Sequence, residues 1–557
     1  MIEEADSTEQ LQQKIAKYSR IDQVVSEYIK PFYSSAAYTN MGSSISYEQL
    51  DEHARNLAAF LQSSTDLRPG DRVAVQLPNI LQYPVAVQAI WRAGMVVVNT
   101  NPLYSVDEII QQYRSAGVKA VIILANDAKL LEEIIPSTDI KLALVSQLAD
   151  LHPISRRIYI NFAAKIIRKI VPKYRVRCAI SFRDALTIGE RYQLNSTRQR
   201  AEAPALIQYT VGTTGNPKAV EITHRNLIAN FFQVRERLNG SLKNGAEIAI
   251  APMPLYHIYS FALHCLILPG FGAHIVLITN PQDTSGFINE LNRWPFTIFS
   301  GLNSLFVTLC QSPQFRSLDF SSLKITVSGG VTLMKAVSDE WHKLTHCRIM
   351  QGYGLTEASP VVALSNPANF ESELVGKPLS LTDVKIMGDQ GNELPAGETG
   401  EIYVHGPQVM AGYLVQGHRV KLEQKWLKTG DVGCISENGA LRIIERKKDI
   451  IHVSGFPVYP SELENIISSH PDIAECAVIG LPDDECGKII KLYVVTSNRR
   501  LTVRQVREYC RERLTTYKVP RLVEFRSELP KSNVGKVIRR KLLAEEQVKM
   551  QKLRKHI

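Results

Sequence analysis

Apolar residues along the chain recur in two alternating rhythms. From Ser46 to about residue 200, helical spacing such as that of Tyr47 to Leu61 alternates with short β-branched runs: Val73-Ala74-Val75, Met95-Val96-Val97-Val98 and Ala120-Val121-Ile122-Ile123. Short apolar strands separated by helices predict βαβ units and a parallel sheet. The rhythm returns in Ile248-Ala249-Ile250, Ile275-Val276-Leu277-Ile278, Phe296-Thr297-Ile298-Phe299 and Ile325-Thr326-Val327, which predicts a second α/β layer. Between Val384 and Ala440 the texture changes to short strands and turns, including Asp389-Gln390-Gly391-Asn392 and Glu437-Asn438-Gly439, as in a small β-barrel-like unit. From Asp449 a compact α/β unit begins, so the charged turn Glu445 to Asp449 is the expected domain boundary.

Composition bounds this picture without redirecting it. A chain of 557 residues, 45% hydrophobic and 22% charged, is globular and too long for one core, so at least two domains are expected. Residues 1 to 20 are acidic and polar, without the apolar core of a secretory signal, and no stretch approaches the roughly 18 apolar residues of a membrane span. The expected location is the cytosol. Eight cysteines lie scattered, without a Cys-x-x-Cys pair, which argues against a zinc site or a disulfide framework. The formal charge of +10 favours anionic partners, and with no RNA- or DNA-binding signature, nucleic acid ranks last among them.

Candidate chemistry centres on Tyr209 to Val220. Apolar Ala205-Leu206-Ile207 reads as a strand and His224-Arg225-Asn226-Leu227 opens a helical pattern, so the Gly/Thr-rich turn is expected to join strand to helix. Gly212 and Gly215 let backbone N–H groups approach an anion, Thr210, Thr213 and Thr214 add hydroxyl donors, and Lys218 adds a point charge. A Walker A loop is excluded, because Asn216-Pro217 separates Gly215 from Lys218. An ordinary polar loop is the alternative.

This stretch resembles the phosphate-loop signature of the acyl-adenylate-forming superfamily, and further stretches resemble its other motifs in order. Met253-Pro254-Leu255-Tyr256-His257 is similar to the acyl-pocket motif, Gln351-Gly352-Tyr353-Gly354-Leu355-Thr356-Glu357 to the adenine and magnesium motif, and Trp426-Leu427-Lys428-Thr429-Gly430-Asp431 to the ribose motif. Glu445-Arg446-Lys447-Lys448-Asp449 resembles the interdomain hinge, Val453 to Pro460 the thiol-step turn, and Pro530-Lys531-Ser532-Asn533-Val534-Gly535-Lys536 the motif of the mobile catalytic lysine. Within the superfamily the likeness is greatest to bacterial long-chain fatty acid CoA ligases, and it extends to Pro78-Asn79-Ile80-Leu81-Gln82-Tyr83-Pro84-Val85 and Asn101-Pro102-Leu103-Tyr104.

The resemblance implies an α/β fold: a large N-terminal domain over residues 1–447, made of two α/β layered subdomains and a small distorted β-barrel, and a small mobile α+β domain over 448–557. It implies a two-step activation, in which ATP and a fatty acid form acyl-AMP and CoA then takes the acyl group. The Thr210-Val211-Gly212-Thr213-Thr214-Gly215 loop and Lys218 would hold phosphate. Glu357, helped by Thr356, would hold Mg²⁺, for which a hard carboxylate oxygen is suited. Lys536 would reach the α-phosphate and the attacking carboxylate. Asp431, an acceptor-only carboxylate, would take the ribose hydroxyls with Arg446 donating to the same sugar. Adenine would lie on Tyr353, beside Gly330 and the Gln351-Gly352 and Gly354 backbone. His257 would wall the acyl pocket, Lys448 would be the pivot, and Ser454-Gly455-Phe456 would admit the thiol after the pivot. For each residue an ordinary structural role, such as a capping carboxylate, a solvated lysine or a plain β-turn, is the competing account.

Departures from the family pattern are Val211 in the phosphate loop, Ala219 after its lysine, Thr332, Gln424-Lys425 before Trp426, and Pro457 in the thiol-step turn. They put chain-length preference and turnover in doubt; the alternatives to a CoA ligase of long-chain acids are a carrier-protein thiol as acceptor, an aryl or short acid as substrate, or a catalytically weakened acyl-adenylate or lipid-binding protein on a membrane. Outside the motifs, Pro153 to Pro172 has helical spacing with Arg157, Asn161, Lys165 and Arg168 on one stripe and Tyr159, Phe162, Ala163, Ile166, Ile167 and Ile170 on the other. Two accounts compete: a helix lying on an anionic membrane surface, which would give peripheral association with the inner face of the membrane, or a surface helix whose apolar side packs on the N-terminal domain.

Overall fold

In the computed structural model, residues 7–211, 217–330, 333–366, 374–415, 418–422, 424–483, 487–532 and 535–554 are described. Among them, one sheet runs in spatial order Lys377–Pro378, Val361–Leu364, Ile349–Gly354, Ile325–Gly329, Ile298–Gly301, Ile248–Ala251, His274–Leu277, Ala36–Asn40, Ser43–Ser46. The second runs His418–Lys421, Gly412–Val415, Pro217–Thr223, Pro204–Val211, Val96–Asn99, Arg72–Gln76, Val118–Leu124, Leu142–Ser146, Ala179–Ser181. Both are parallel at their centres and antiparallel toward an edge. These are the two expected α/β layers. The barrel-like unit takes the form of a four-stranded antiparallel sheet, Asp383–Met387, Gly400–His405, Leu427–Ile435 and Leu441–Arg446. After the turn Lys447–Asp449 comes a small lobe with its own three-stranded sheet and its own apolar core around Leu463, Val478, Leu492 and Val506. The molecule is thus a mixed α/β protein with a large N-terminal and a small C-terminal domain.

Helices form where caps and spacing agree. Ser46 accepts from the Gln49 N–H to start Tyr47–Ser63, and Thr223 accepts from Asn226 to start His224–Leu238. The helix Gln82–Arg92 is buried on every side, as its apolar residues all round require, and Trp91 meets Phe261 edge-on at 5.8 Å in the core between the sheets.

Two expectations change. The Gly/Thr-rich stretch does not join a strand to a helix: Pro204–Val211 pairs antiparallel with Pro217–Thr223, so it closes a hairpin, and the helix begins only at His224. Alternating Val220 and Ile222, with their β-branched side chains buried, carry that second strand. In Pro153 to Pro172 the α-helix covers Ile154–Phe162, continues as a π-turn to Ile167, and turns its apolar side outward. Ile158 is 62% exposed, Tyr159 71%, Phe162 55% and Ile167 67%. Of the polar stripe, only the first half faces the protein, where Asn161 accepts from the Ala149 N–H at 3.0 Å and Arg157 is half-buried near Asp150, while Lys165 and Arg168 are exposed. Packing of the apolar side on the N-terminal domain is therefore overturned. Among the described residues, no helix is long and apolar enough to cross a membrane.

The layers are tied together by Asn79, buried after the strand Arg72–Gln76. Its side-chain amide donates to the carbonyls of Ala251 (3.0 Å) and Met253 (2.9 Å) and accepts from the Leu255 N–H (2.8 Å). Asn79→Ala would orphan all three backbone groups in a site too tight to rehydrate. We expect a loss of about 2–4 kcal/mol in urea unfolding. A loss under about 0.5 kcal/mol, the range of an ordinary surface change, would refute the clamp.

Candidate active site

The strands Ile325–Gly329 and Ile349–Gly354 run parallel, with Ser328 opposite Gln351 and Gly329 opposite Gly352; the first stops where Gly330 (φ +84°) turns away, and the second runs on to Gly354. Open α/β sheets bind ligands outside such carboxyl ends. A Cβ on Gly329 would stand 3.2 Å from the Gly352 carbonyl, so glycine allows the strands' close approach there, whereas Gly330 has open space and answers only the left-handed backbone.

Tyr353 leaves this edge with its ring buried and its hydroxyl donating to Asp431 Oδ2 at 2.8 Å. Asp431 lies directly across the antiparallel pair from Arg446, whose Nε stands 2.8 Å from Oδ1. Burial pushes the Asp431 carboxyl up, and Arg446 opposes it more than any other group. Burial next to this carboxylate also drives the Tyr353 hydroxyl far above its ordinary range, so it stays a donor.

Beyond Gly354, where any Cβ would strike the Pro360 carbonyl, the short turn Thr356–Ala358 presents Glu357. Its Oε1 accepts from the Tyr413 hydroxyl at 3.0 Å, and Lys218 Nζ stands 5.1 Å from the centroid of the Tyr413 ring. Tyr413 reaches this point because its strand, Gly412–Val415, pairs with Pro217–Thr223. Thr210 is opposite Lys218 in the hairpin.

On the acyl-motif side, His257 Nδ1 accepts from the Tyr259 N–H (3.4 Å) at the start of Ile258–Phe261, leaving Nε2 to carry the hydrogen of the neutral ring. Burial, then Lys536, push its pKa down to about 4, so the ring is neutral at pH 7. Neutral amides hold this loop: Gln208 Nε2 donates to the Tyr256 carbonyl (3.1 Å), Asn99 Nδ2 to Gln208 Oε1 (3.0 Å), and the Tyr83 hydroxyl to Asn99 Oδ1 (2.7 Å).

Lys536 comes from the small lobe. A turn closed by Ser532 N–H to the Lys536 carbonyl (2.7 Å) and Gly535 N–H to the Ser532 carbonyl (2.8 Å) carries it, and a Cβ on Gly535 would strike the Ser304 hydroxyl of the large lobe. The side chain remains open to solvent at the mouth of a cleft walled by protein. That crowding, followed by repulsion from Arg446, lowers its pKa, while Asp431 pulls the other way.

Of the sequence-predicted residues, the structure thus gathers Gly330, Gln351, Gly352, Tyr353, Gly354, Thr356, Glu357, Asp431, Arg446, His257, Lys218 and Lys536 around one cleft. Gly212, Thr213, Thr214 and Gly215, and the Val211 side chain, lie outside the described residues, as does Thr332. Lys448 sits exposed in the connecting turn. Ser454 (φ +50°) and Gly455 (φ +84°) form the two-residue turn of an exposed hairpin, with Phe456 against Tyr517 of the same lobe at 5.2 Å rather than in the cleft. Sequence reasoning missed Tyr413, Gln208, Asn99 and Asn79. Amides inside otherwise apolar strands were the only signal for two of them, and Tyr413 gave none.

Among the described residues no three His, Cys, Asp or Glu side chains cluster as a protein-only metal cage. Glu357 makes no second carboxylate hydrogen bond among them, and a single hard carboxylate beside the Thr356 hydroxyl fits Mg²⁺ brought in with phosphates.

The AMP-binding enzyme family matches residues 27–414, and the AMP-binding enzyme C-terminal domain matches 462–536. The chain is 41% identical to a long-chain-fatty-acid–CoA ligase of Escherichia coli O6:H1 over 95% of each chain, and 33% identical to one of Bacillus subtilis over 94% of each. In fold it is similar to an anthranilate CoA ligase in complex with anthranoyl-AMP, with a TM-score of 0.85 over 97% of this chain and 100% of that one at 22% identity.

The Asp431–Arg446 pair generates a stability prediction. Arg446→Ala leaves a buried carboxylate with the Tyr353 hydroxyl and the more distant charge of Lys536, and solvent reaching the arginine moderates the cost to about 1–3 kcal/mol. Adding Asp431→Asn should recover about half or more of it. Strictly additive losses in chemical denaturation would show that the two side chains do not interact.

Proposed function

The chain belongs to the AMP-binding enzyme family, and on that premise we propose that it is an ATP-dependent long-chain fatty acid CoA ligase, forming acyl-AMP and pyrophosphate, then acyl-CoA and AMP. The observation that carries this reading is the position of Lys536, held by the small lobe over the cleft that contains Asp431, Arg446, Tyr353 and His257. A carboxylate oxygen must bond to the α-phosphorus as the bond to pyrophosphate breaks, so two anions meet and negative charge builds on the phosphate. Lys536 supplies one cation at that point and Lys218 another, with the Thr210 to Gly215 stretch adding hydroxyl and backbone donors. Glu357, steadied by Tyr413, and Thr356 are the residues that would hold Mg²⁺, which would supply charge neutralisation on the departing phosphates. Asp431 and Arg446 take the ribose, Tyr353 and the Gly330, Gln351, Gly352 and Gly354 backbone the base. His257, neutral, walls the acyl carboxylate rather than acting as a base.

For the second step the lobe turns at Lys448, Lys536 withdraws, and the Ser454-Gly455-Phe456 hairpin takes its place. The free space around Gly455 supports an approach by the CoA thiol. Conversion of an acid panel with ATP and Mg²⁺, with and without CoA, tests the assignment: CoA-dependent AMP release with long-chain acids is expected, and CoA-independent acyl-AMP alone would overturn it. Lys536→Ala should slow acyl-AMP formation by about 3–4 kcal/mol while thioester formation from supplied acyl-AMP stays near normal. Equal loss in both steps would remove Lys536 from its role.

The outward apolar face of Ile154–Phe162 and its π-turn supports peripheral binding to an anionic membrane surface. Lys165, Arg168, Lys169 and Lys173 are exposed around Ile158, Phe162 and Ile166, which pairs apolar insertion with headgroup attraction, and a long-chain acid resides in the same lipid. Ile158→Ser with Phe162→Ser should cut binding to phosphatidylglycerol vesicles by at least about tenfold at unchanged thermal stability. Undiminished sedimentation with vesicles would rule this face out as the anchor.

A further inference from the structure

Three residues after Lys536, Arg539 stands among three carboxylates that belong to three parts of the chain. Its Nη2 and Nε lie 2.6 and 3.2 Å from the two oxygens of Glu464, on the small-lobe helix Pro460–Ile467. Its Nη1 lies 3.4 Å from Asp449 in the connecting turn and 3.7 Å from Glu445 on Leu441–Arg446, the last strand of the large lobe. Glu445 is buried and receives a second contact across the seam, the Ser461 N–H at 2.8 Å on its other oxygen. Without the guanidinium, Glu445 and Glu464 would stand as neighbouring like charges, and Glu445 already disfavours the charged form of Glu464.

We infer that Arg539 is a positioning residue for Lys536: by bridging Glu464 to Glu445 it holds the small lobe in the orientation that keeps the lysine over the cleft. The geometry favours this over a role confined to folding the small lobe, because the fork on Glu464 satisfies the lobe internally while Nη1 is left to point across the seam. Pivoting at Lys448 must break the Glu445 contact and can keep the Glu464 one, since only Glu445 stays behind with the large lobe. The bridge is thus a latch on the first orientation alone. It also sits where Lys536 feels it, as Arg539 is among the cations that lower the lysine's pKa.

This inference rests on the two-step reading above, and Glu445→Gln tests it. The amide keeps an oxygen for the Ser461 N–H, gives up the acceptor that its other oxygen offers to the Arg446 N–H, and removes the charge facing Arg539, while the small lobe's own fork on Glu464 is untouched. Acyl-AMP formation should fall about tenfold in kcat, with KM for ATP and acid little changed, while thioester formation from supplied acyl-AMP holds or rises. Limited trypsinolysis, with fragments identified by mass, should show faster cleavage after Lys447 and Lys448, which are exposed in the connecting turn. Equal loss in both half-reactions, or no change in either, would overturn the latch. Should the parent protein form no acyl-AMP with any acid, the two-step reading fails by itself, and trypsin decides alone: an unchanged cleavage rate then overturns the latch as well.

Discussion

Positive charges repel, and this protein brings Lys536, Arg446 and Arg539 toward one cleft before any anion has arrived. The structure depends on how that repulsion is contained. Asp431 lies between Arg446 and the lysine, accepting from Tyr353 on its other oxygen, and Glu445 and Glu464 enclose Arg539. Asp431 and Glu445 are buried and Glu464 is partly so, which would make each costly alone, and each is tolerable because a guanidinium stands beside it. The same containment explains why the two lobes meet at the last strand of the large lobe. Arg446 points to the cleft and its neighbour Glu445 to the seam, because successive side chains of a strand leave on opposite faces. One strand therefore serves both the Asp431 pair and the contact with the small lobe.

Much of this was legible in the chain. The alternation of β-branched runs with helical spacing predicts two α/β layers because buried parallel strands need apolar residues on both faces, and both layers are present. Gly330, Tyr353, Glu357, Asp431, Arg446 and Lys536 were named from motif spacing, and they stand around one cleft. What was not legible depends on contacts far apart in sequence. Tyr413 approaches Glu357 only because its strand adds to the phosphate hairpin, a pairing that no local pattern announces. The hairpin itself was misjudged since glycines and threonines mark a turn without saying whether a strand or a helix follows. The helix at Ile154–Phe162 was ambiguous for the opposite reason: amphipathic spacing tells which side is apolar but not which way that side faces, and here Asn161 and Arg156, anchored to Ala149 and Met41, decide it.

The two halves of the cleft are built by different means. The half around Asp431, Arg446 and Lys536 is charged. The half around His257 is held by Tyr83, Asn99, Gln208 and Asn79, whose side chains carry no charge and whose bonds run to the backbone and to one another. Amides of this kind bring two sheets into register without the desolvation cost of an ion pair, and they are directional enough to place a loop.

That choice of neutral groups has a consequence for where the protein can work. None of the four gains or loses a proton across the range in which cells live, and His257 stays neutral until conditions are strongly acidic. A change of pH would therefore act on Lys536, whose pKa is lowered, and on Asp431, whose pKa is raised, while leaving the neutral frame around the His257 loop as it was. Proton concentration would thus reach the charged side of this site and leave the neutral frame beside it alone.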